Sequence, residues 1–258
     1  MTNKYLSFVS DEHLMDSVKN FHNSYLEAKK GKTLKDFYKN KIDTIKLTFD
    51  SKFNKLNPEA LIKSEIIRQI DKSVNNAVGN FHEDVLGGIS GFTKGSKSGY
   101  DIKSEDNTLF AEIKNKHNTM SSSTAESVFQ KLASLADNNK KSKCYWVQIL
   151  AKKSFNELWK GEINKKEYSH SRVYKISGDQ FYKLLTGKDS AFFELTQIIP
   201  KVISDYLRNK GELGDDRPNK DSAFEEIILN SQKNSRTILE QMTFDNYSYY
   251  LGFNNPEN

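Results

Sequence analysis

Residues Cys144–Ala151 read CYWVQILA, seven apolar side chains in eight. A run this short suits a strand better than a helix, and a strand apolar in nearly every position has no face left for water. It must lie inside a sheet covered on both sides, as parallel and mixed sheets are when helices flank them. The sequence on either side supplies such cover. Ser123-Thr-Ala-Glu126 reads as a capping box opening a helix with Val128, Leu132, Leu135 and Ala136. Arg172–Ile176 (RVYKI) reads as another strand, and GDQFYKLLTG and AFFELTQIIPKVISDYL as a short and a longer helix. The expected fold is α/β (α+β), a central mixed β-sheet flanked by helices.

The N-terminal third predicts mostly helix. Ser10 precedes a helix with Leu14, Val18, Phe21 and Tyr25 on one face, Thr33–Ile42 reads as a second, and Ile45–Phe49 (IKLTF) as a strand. Asn57-Pro58 opens a strong helix with an N-cap and a first-turn proline. Its apolar stripe is Ile66, Ile70, Val74, Ala77, Phe81 and Val85, and Gly87-Gly88 ends it. A glycine- and serine-rich passage, Gly87–Gly99, follows. Arg208–Asp221 reads as a polar linker, and the tail with Tyr247, Tyr249 and Tyr250 as an extra helix or a dimer arm. The expected organisation is a helical N-terminal extension (1–55), a core (56–207), and a linker with a C-terminal helical, dimerisation or DNA-binding arm (208–258).

Composition narrows the class. One cysteine, Cys144, excludes an internal disulfide and any multi-cysteine zinc site. No apolar run has the length of a membrane span. The first residues lack the pattern of a secretory leader, so an intracellular, cytoplasmic location is expected. The net charge is +5, and the window Lys94–Lys153 carries the same excess, eleven lysines against six acids. A basic bias concentrated in this way suits a polyanion such as nucleic acid; a solvated lysine-rich surface is the plainer explanation.

The chemistry lies between Asp101 and Lys116. Two strand-like runs, YDIK and TLFAEIKNK, flank the turn-formers SEDN and predict a β-hairpin. Alternation sends Leu109, Ala111 and Ile113 into the core and Phe110, Glu112, Lys114 and Lys116 to the opposite face. With SEDN as a four-residue loop, Ile102 pairs with Leu109 and Asp101 with Phe110. Asp101 then shares a face with Glu112, diagonally across the ladder at about 7–8 Å between Cα atoms. Two carboxylates beside a lysine suit an oxygen-preferring divalent cation next to a phosphate. Such triads also arise by chance on charged, half-exposed strands. The credible turn, the shared face, the glycine-rich passage upstream and the basic window favour a site. A third acid is available in His82-Glu83-Asp84. Acids at a helix C-terminus oppose its dipole, and Glu83 is preferred over Asp84; an ordinary exposed turn is the alternative.

Asp101…Glu112-Ile113-Lys114 resembles the PD-(D/E)XK nuclease signature, with Tyr100 where that pattern has proline. GNFHEDVLG (Gly79–Gly87), SGYD (Ser98–Asp101) and AEIKNKHNTMSSS (Ala111–Ser123) resemble, more specifically, type II restriction endonucleases that cut GGNCC or GGWCC. The resemblance spans roughly residues 60–190. It implies a restriction-endonuclease-like core with helical additions. It implies hydrolysis of both strands of double-stranded DNA at a short interrupted palindrome, giving 5′-phosphate ends. Mg²⁺ is the implied cofactor, with Mn²⁺ able to substitute. Asp101, Glu112 and the Ile113 backbone carbonyl are the implied metal ligands, Lys114 the catalytic lysine and Glu83 an accessory acid. A homodimer is implied because a two-fold site is most simply read by a two-fold protein. A cognate DNA methyltransferase in the host is the implied protective counterpart.

Lys116, His117 and Asn118 follow the catalytic strand, where lysine can donate to guanine and asparagine pair with adenine. Phosphate contact or plain surface is the open alternative. Ser121, Ser122 and Ser123 at a helix N-terminus suit phosphate. Gln130 is a candidate near the metal, and Arg172 the first candidate for reading guanine. Lys94 and Lys97, in the glycine-rich passage, complete the DNA-facing set. The same residues also admit a repair or recombination nuclease without fixed target, or a catalytically inactive DNA-binding module of the same fold.

Overall fold

The computed structural model describes residues 3–29, 44–55, 58–95, 99–116, 120–211, 229–236, 244 and 248–253. Helices α1 (Asp11–Lys29), α2 (Thr44–Phe53) and α3 (Pro58–Gly87) come first, then strands β1 (Phe92–Lys94), β2 (Ile102–Ser104) and β3 (Leu109–Lys116). Helix α4 (Ser122–Asn138) leads to β4 (Lys143–Leu150), β5 (Asn156–Ile163) and β6 (Lys166–Ser177), and α5 (Gly178–Thr186) and α6 (Ala191–Lys210) follow. The six strands form one mixed sheet in the order β1-β2-β3-β4-β6-β5. β4 pairs in parallel with both β3 and β6, and the other pairs are antiparallel.

The chain divides into two compact units, residues 1–18 with 82–258, and residues 19–81. The smaller unit is helical. Phe21 stacks on Tyr25 at 6.4 Å and meets Phe81 edge-on at 6.3 Å. Here one expectation fails: Ile45–Phe49 lies in helix α2. Its β-branched residues suggest a strand, but Lys46 pairs with Asp50 and Phe49 with Phe53, both at the i,i+4 spacing of one helix face. The expected helix Thr33–Ile42, the Asn57 cap and most of the Arg208–Asp221 linker lie outside the described residues.

In the larger unit β4 is buried as its sequence requires, from Cys144 through Ile149. On one face, α4 lays Val128, Phe129, Leu132 and Ala136 against Phe110, Cys144, Trp146 and Val173. On the other, Tyr145 meets Phe181 of α5. Because β3 is central too, Leu109 through Ile113 are all buried. The Glu112 face expected to look outward is therefore roofed by α4.

Two local details differ from expectation. The hairpin register is shifted by two, with Ile102 opposite Ala111 and Lys103 opposite Phe110. Ser104 belongs to β2, and its hydroxyl accepts from Thr108 N (3.0 Å) and Leu109 N (2.9 Å) and donates to Asp106 (2.6 Å), which moves the four-residue turn along by one, to Glu105–Thr108. An even shift keeps every side chain on its face. The cap of α4 is Ser121, whose hydroxyl accepts from Thr124 N at 3.3 Å. Glu126 does not close a capping box, because Tyr168 and Asn164 donate to it.

The β5–β6 hairpin was not foreseen over most of its length. It turns through Asn164 and Lys165, both at positive φ (56° and 62°), a two-residue loop of the kind usually signalled by Asn-Gly. Beyond α6, Tyr250 is fully buried; its hydroxyl accepts from Ala151 N and donates to Ile149 O, each at 2.7 Å. No helix among the described residues is long and apolar enough to cross a membrane.

Candidate active site

Asp101 reaches both neighbours of Glu112. Its N–H donates to the Ala111 carbonyl at 2.8 Å, and its carboxylate accepts from Ile113 N at 2.6 Å. The glycine-rich passage makes this approach possible. Gly95 N donates to Asp101 O at 2.8 Å, and a Cβ at Gly95 would stand 2.1 Å from the Tyr100 carbonyl oxygen. Only glycine fits so close to another backbone.

Glu112 is 7% exposed and bound on both oxygens. Lys114 Nζ lies 2.7 Å from Oε1 and Lys131 Nζ 2.6 Å from Oε2. Burial opposes the charge on Glu112, but hydrogen bonds from the two ammoniums outweigh it and hold this carboxyl below its ordinary range. Asp101 goes the other way. Burial raises its pKa, the Ile113 N–H opposes the rise, and the Glu112 charge adds to it. Glu83 is also raised, by burial and then by the Asp101 charge, with Lys94 opposing. Three carboxylates thus feel one another in sequence, Glu83 to Asp101 to Glu112, an arrangement that a cation relieves.

The residues present fit a divalent metal ion of modest protein coordination. Among the described residues no group of three or more His, Cys, Asp or Glu side chains forms a full ligand cage. Mg²⁺ needs no such cage, since one or two carboxylates, waters and substrate phosphate oxygens complete its octahedron. Among the described residues, Asp101 and Glu112 could supply such a pair of carboxylates.

The other predicted residues fall at varied places. Lys94 spans Asp84 at 2.7 Å and Glu83 at 3.3 Å, tying β1 to the end of α3. Lys116 is exposed where β3 ends; His117, Asn118 and Lys97 lie outside the described residues. Ser121, Ser122 and Ser123 are exposed at the start of α4. Gln130 is exposed on α4, with no hydrogen bond to the acidic cluster among the described residues. Arg172 sits beyond the other end of α4, where its guanidinium donates to the Asn139 and Lys140 carbonyls and pairs with Asp137. That is a C-terminal cap, at the end of the sheet opposite Lys116.

Two residues at the cluster escaped the sequence. Lys131, next to Gln130, is the α4 side chain that reaches Glu112; its position beside the buried stripe of Val128 and Leu132 was the available signal. Gln148 pairs with Lys114 across β3–β4 and so shares its face. It is 8% exposed, with no side-chain hydrogen bond among the described residues. It is the one polar interruption in CYWVQILA.

Comparison with known proteins identifies the family. A family model described as Eco47II restriction endonuclease matches residues 6–208. The type II restriction enzyme Sau96I of Staphylococcus aureus is 40% identical over 267 residues, covering 98% of this chain and 100% of that protein. The type II restriction enzyme Eco47II of Escherichia coli is 30% identical over 230 residues, covering 84% of this chain and 95% of that one. The chain belongs to the Eco47II restriction endonuclease family and is a type II, site-specific endonuclease.

Proposed function

We propose that the enzyme hydrolyses both strands of double-stranded DNA at GGNCC or GGWCC, with Mg²⁺ as its metal and Mn²⁺ as a working substitute. The observation that carries this reading is the coupled pair Asp101 and Glu112, one oxygen of which is held by Lys114. Asp101, Glu112 and the Ile113 carbonyl hold the metal, which when bound neutralises phosphate charge and lowers the pKa of water. Lys114 orients the attacking water and offsets the charge that builds on phosphorus. Glu83, whose charge couples to that of Asp101, is the accessory acid of the cluster. Attack runs in line with the departing 3′ oxygen, so the products carry 5′-phosphates.

Lys116, at the end of β3, and His117 and Asn118, next in sequence, contact the bases of the target. Ser121, Ser122 and Ser123 receive a phosphate at the α4 N-terminus, where peptide dipoles favour anions. Lys97 adds backbone contact. Gln130 faces solvent on α4 and is free to reach the duplex, whereas Lys94 and Arg172 are engaged within the chain and act on DNA through their charge. The working unit is a homodimer, matching a palindromic target, and the host protects its own sites with a cognate methyltransferase.

Digestion of DNA of known sequence with Mg²⁺, followed by sequencing of the ends, tests the reading. Discrete fragments with 5′-phosphates at GGNCC or GGWCC are expected. Cleavage at unrelated sequences, or a smear, would reject the specificity. Binding without nicking at any Mg²⁺ concentration would reject the catalytic assignment. In the Asp101→Asn variant, cleavage should be lost while specific binding is kept.

A further inference from the structure

Glu112 has an ammonium on each oxygen, and the two are carried differently. Lys114 stands two residues along the same strand, so the β3 backbone fixes it beside Glu112. Lys131 arrives from the third turn of α4, nineteen residues away. Its stem passes Gly99, where a Cβ would lie 3.6 Å from Lys131 Cε. Gly99 has φ +83°, a conformation that favours glycine, and the Gly99-Tyr100-Asp101 turn therefore lies against this stem. The Lys131 charge also acts on Asp101. One ammonium is thus hydrogen-bonded to one of the two acids and within electrostatic reach of the other. Its side chain is 35% exposed, on four flexible methylenes.

A divalent cation held by Asp101 and Glu112 removes the reason for Lys131 to stay. Like charges a few ångströms apart repel, and Glu112 Oε2 cannot serve both. Once displaced, the ammonium needs a new anion, and the DNA backbone brought to these acids supplies one. We propose that Lys131 is an exchangeable cation: it occupies Glu112 in the metal-free enzyme and transfers to a DNA phosphate when the metal arrives. This inference rests on Asp101 and Glu112 being the metal ligands. It makes metal and DNA cooperative, since each frees or fills the group that the other needs, and such coupling is reciprocal.

Two equilibrium measurements test it on the full chain. The first is titration of the DNA-free protein with Ca²⁺, which shares the oxygen preference of Mg²⁺. Lys131→Met should bind Ca²⁺ about three- to tenfold more tightly than the parent, because no ammonium then competes for Glu112 Oε2. The second is the salt dependence of affinity for a cognate duplex in Ca²⁺, checked to be uncut. Its logarithmic slope should be less steep by about one in Lys131→Met, the loss of one phosphate contact, and Lys131→Arg should restore it. A lysine that merely holds α4 against β3 would lower the melting temperature and move neither quantity. Unchanged or weaker Ca²⁺ binding in Lys131→Met, or an unchanged salt slope, would overturn the exchange. Glu112→Gln separates the two claims. If Ca²⁺ binding survives in that variant, the metal assignment itself falls; if it disappears and Lys131→Met still shows no tightening, only the exchange falls.

Discussion

Among the described residues of the larger unit two carboxylates are buried, and they are satisfied in opposite ways. Asp179, with no exposed surface, accepts from neutral donors: Ser177 Oγ at 2.5 Å, Ser154 Oγ at 2.7 Å and Leu251 N at 3.2 Å. Each donor belongs to a different stretch of chain, so Asp179 joins the end of β6, the loop before β5 and the C-terminal segment. Glu112 accepts from two long, partly exposed lysines. Fixed dipoles make a permanent joint, because removing any of them leaves a buried carboxyl group one donor short. Mobile ammoniums make an exchangeable one. Burial alone therefore does not tell the two acids apart; the kind of donor on each does.

Substitutions break this contrast in graded fashion. Glu112→Gln should lower the rate of DNA cleavage by about a thousandfold or more. Its stability should change by only about 1 kcal/mol, since both lysines can turn to water; chemical denaturation beside single-turnover cleavage reads both. Asp179→Ala should do the reverse, costing about 3 kcal/mol in denaturation while cleavage per folded molecule stays within about twofold. A large rate loss there would make Asp179 part of the catalytic machinery and dissolve the comparison.

A third titratable group, His82, sharpens it further. Its ring stacks on Phe192 at 6.2 Å, meets Tyr182 Oη at 3.0 Å, and burial lowers its pKa to about 4. The unfolded chain binds this proton near pH 6.5, so stability is complete above that value and is lost as pH falls toward 4. About 2 kcal/mol should go between pH 6.5 and about 5 in urea titrations, and His82→Asn should remove that slope. A slope unchanged in the variant would assign the loss to other groups. The smallest effect is expected for Tyr250→Phe, about 1 kcal/mol, because one hydroxyl serves both Ala151 N and Ile149 O.

The sequence revealed the elements whose burial is periodic or complete. CYWVQILA could only be a covered strand, and the stripes of α1, α3 and α4 announced helices with their boundaries nearly in place. Ile45–Phe49 misled because five residues cannot separate strand propensity from a helix face two turns long. The β5–β6 hairpin was hidden because β5 is exposed at six of its eight positions and its turn lacks glycine. Asp101, Glu112 and Lys114 were legible since hairpin parity survives a two-residue error in register. Lys131 was not, because its role depends on how α4 is rotated over β3, and rotation by one residue separates it from Gln130. The interior capping of α4 by Arg172 likewise needs three-dimensional proximity between segments over thirty residues apart.

Asp101, Glu112, Lys114 and Lys131 all fall within one stretch of about thirty residues. Closing a loop of that length sacrifices little chain entropy, and contacts of low sequence separation form early. The bond from Tyr250 back to Ile149 spans a hundred residues. During folding, therefore, the acid–lysine cluster is expected to organise with its own hairpin and helix, and the C-terminal seal over β4 to close last.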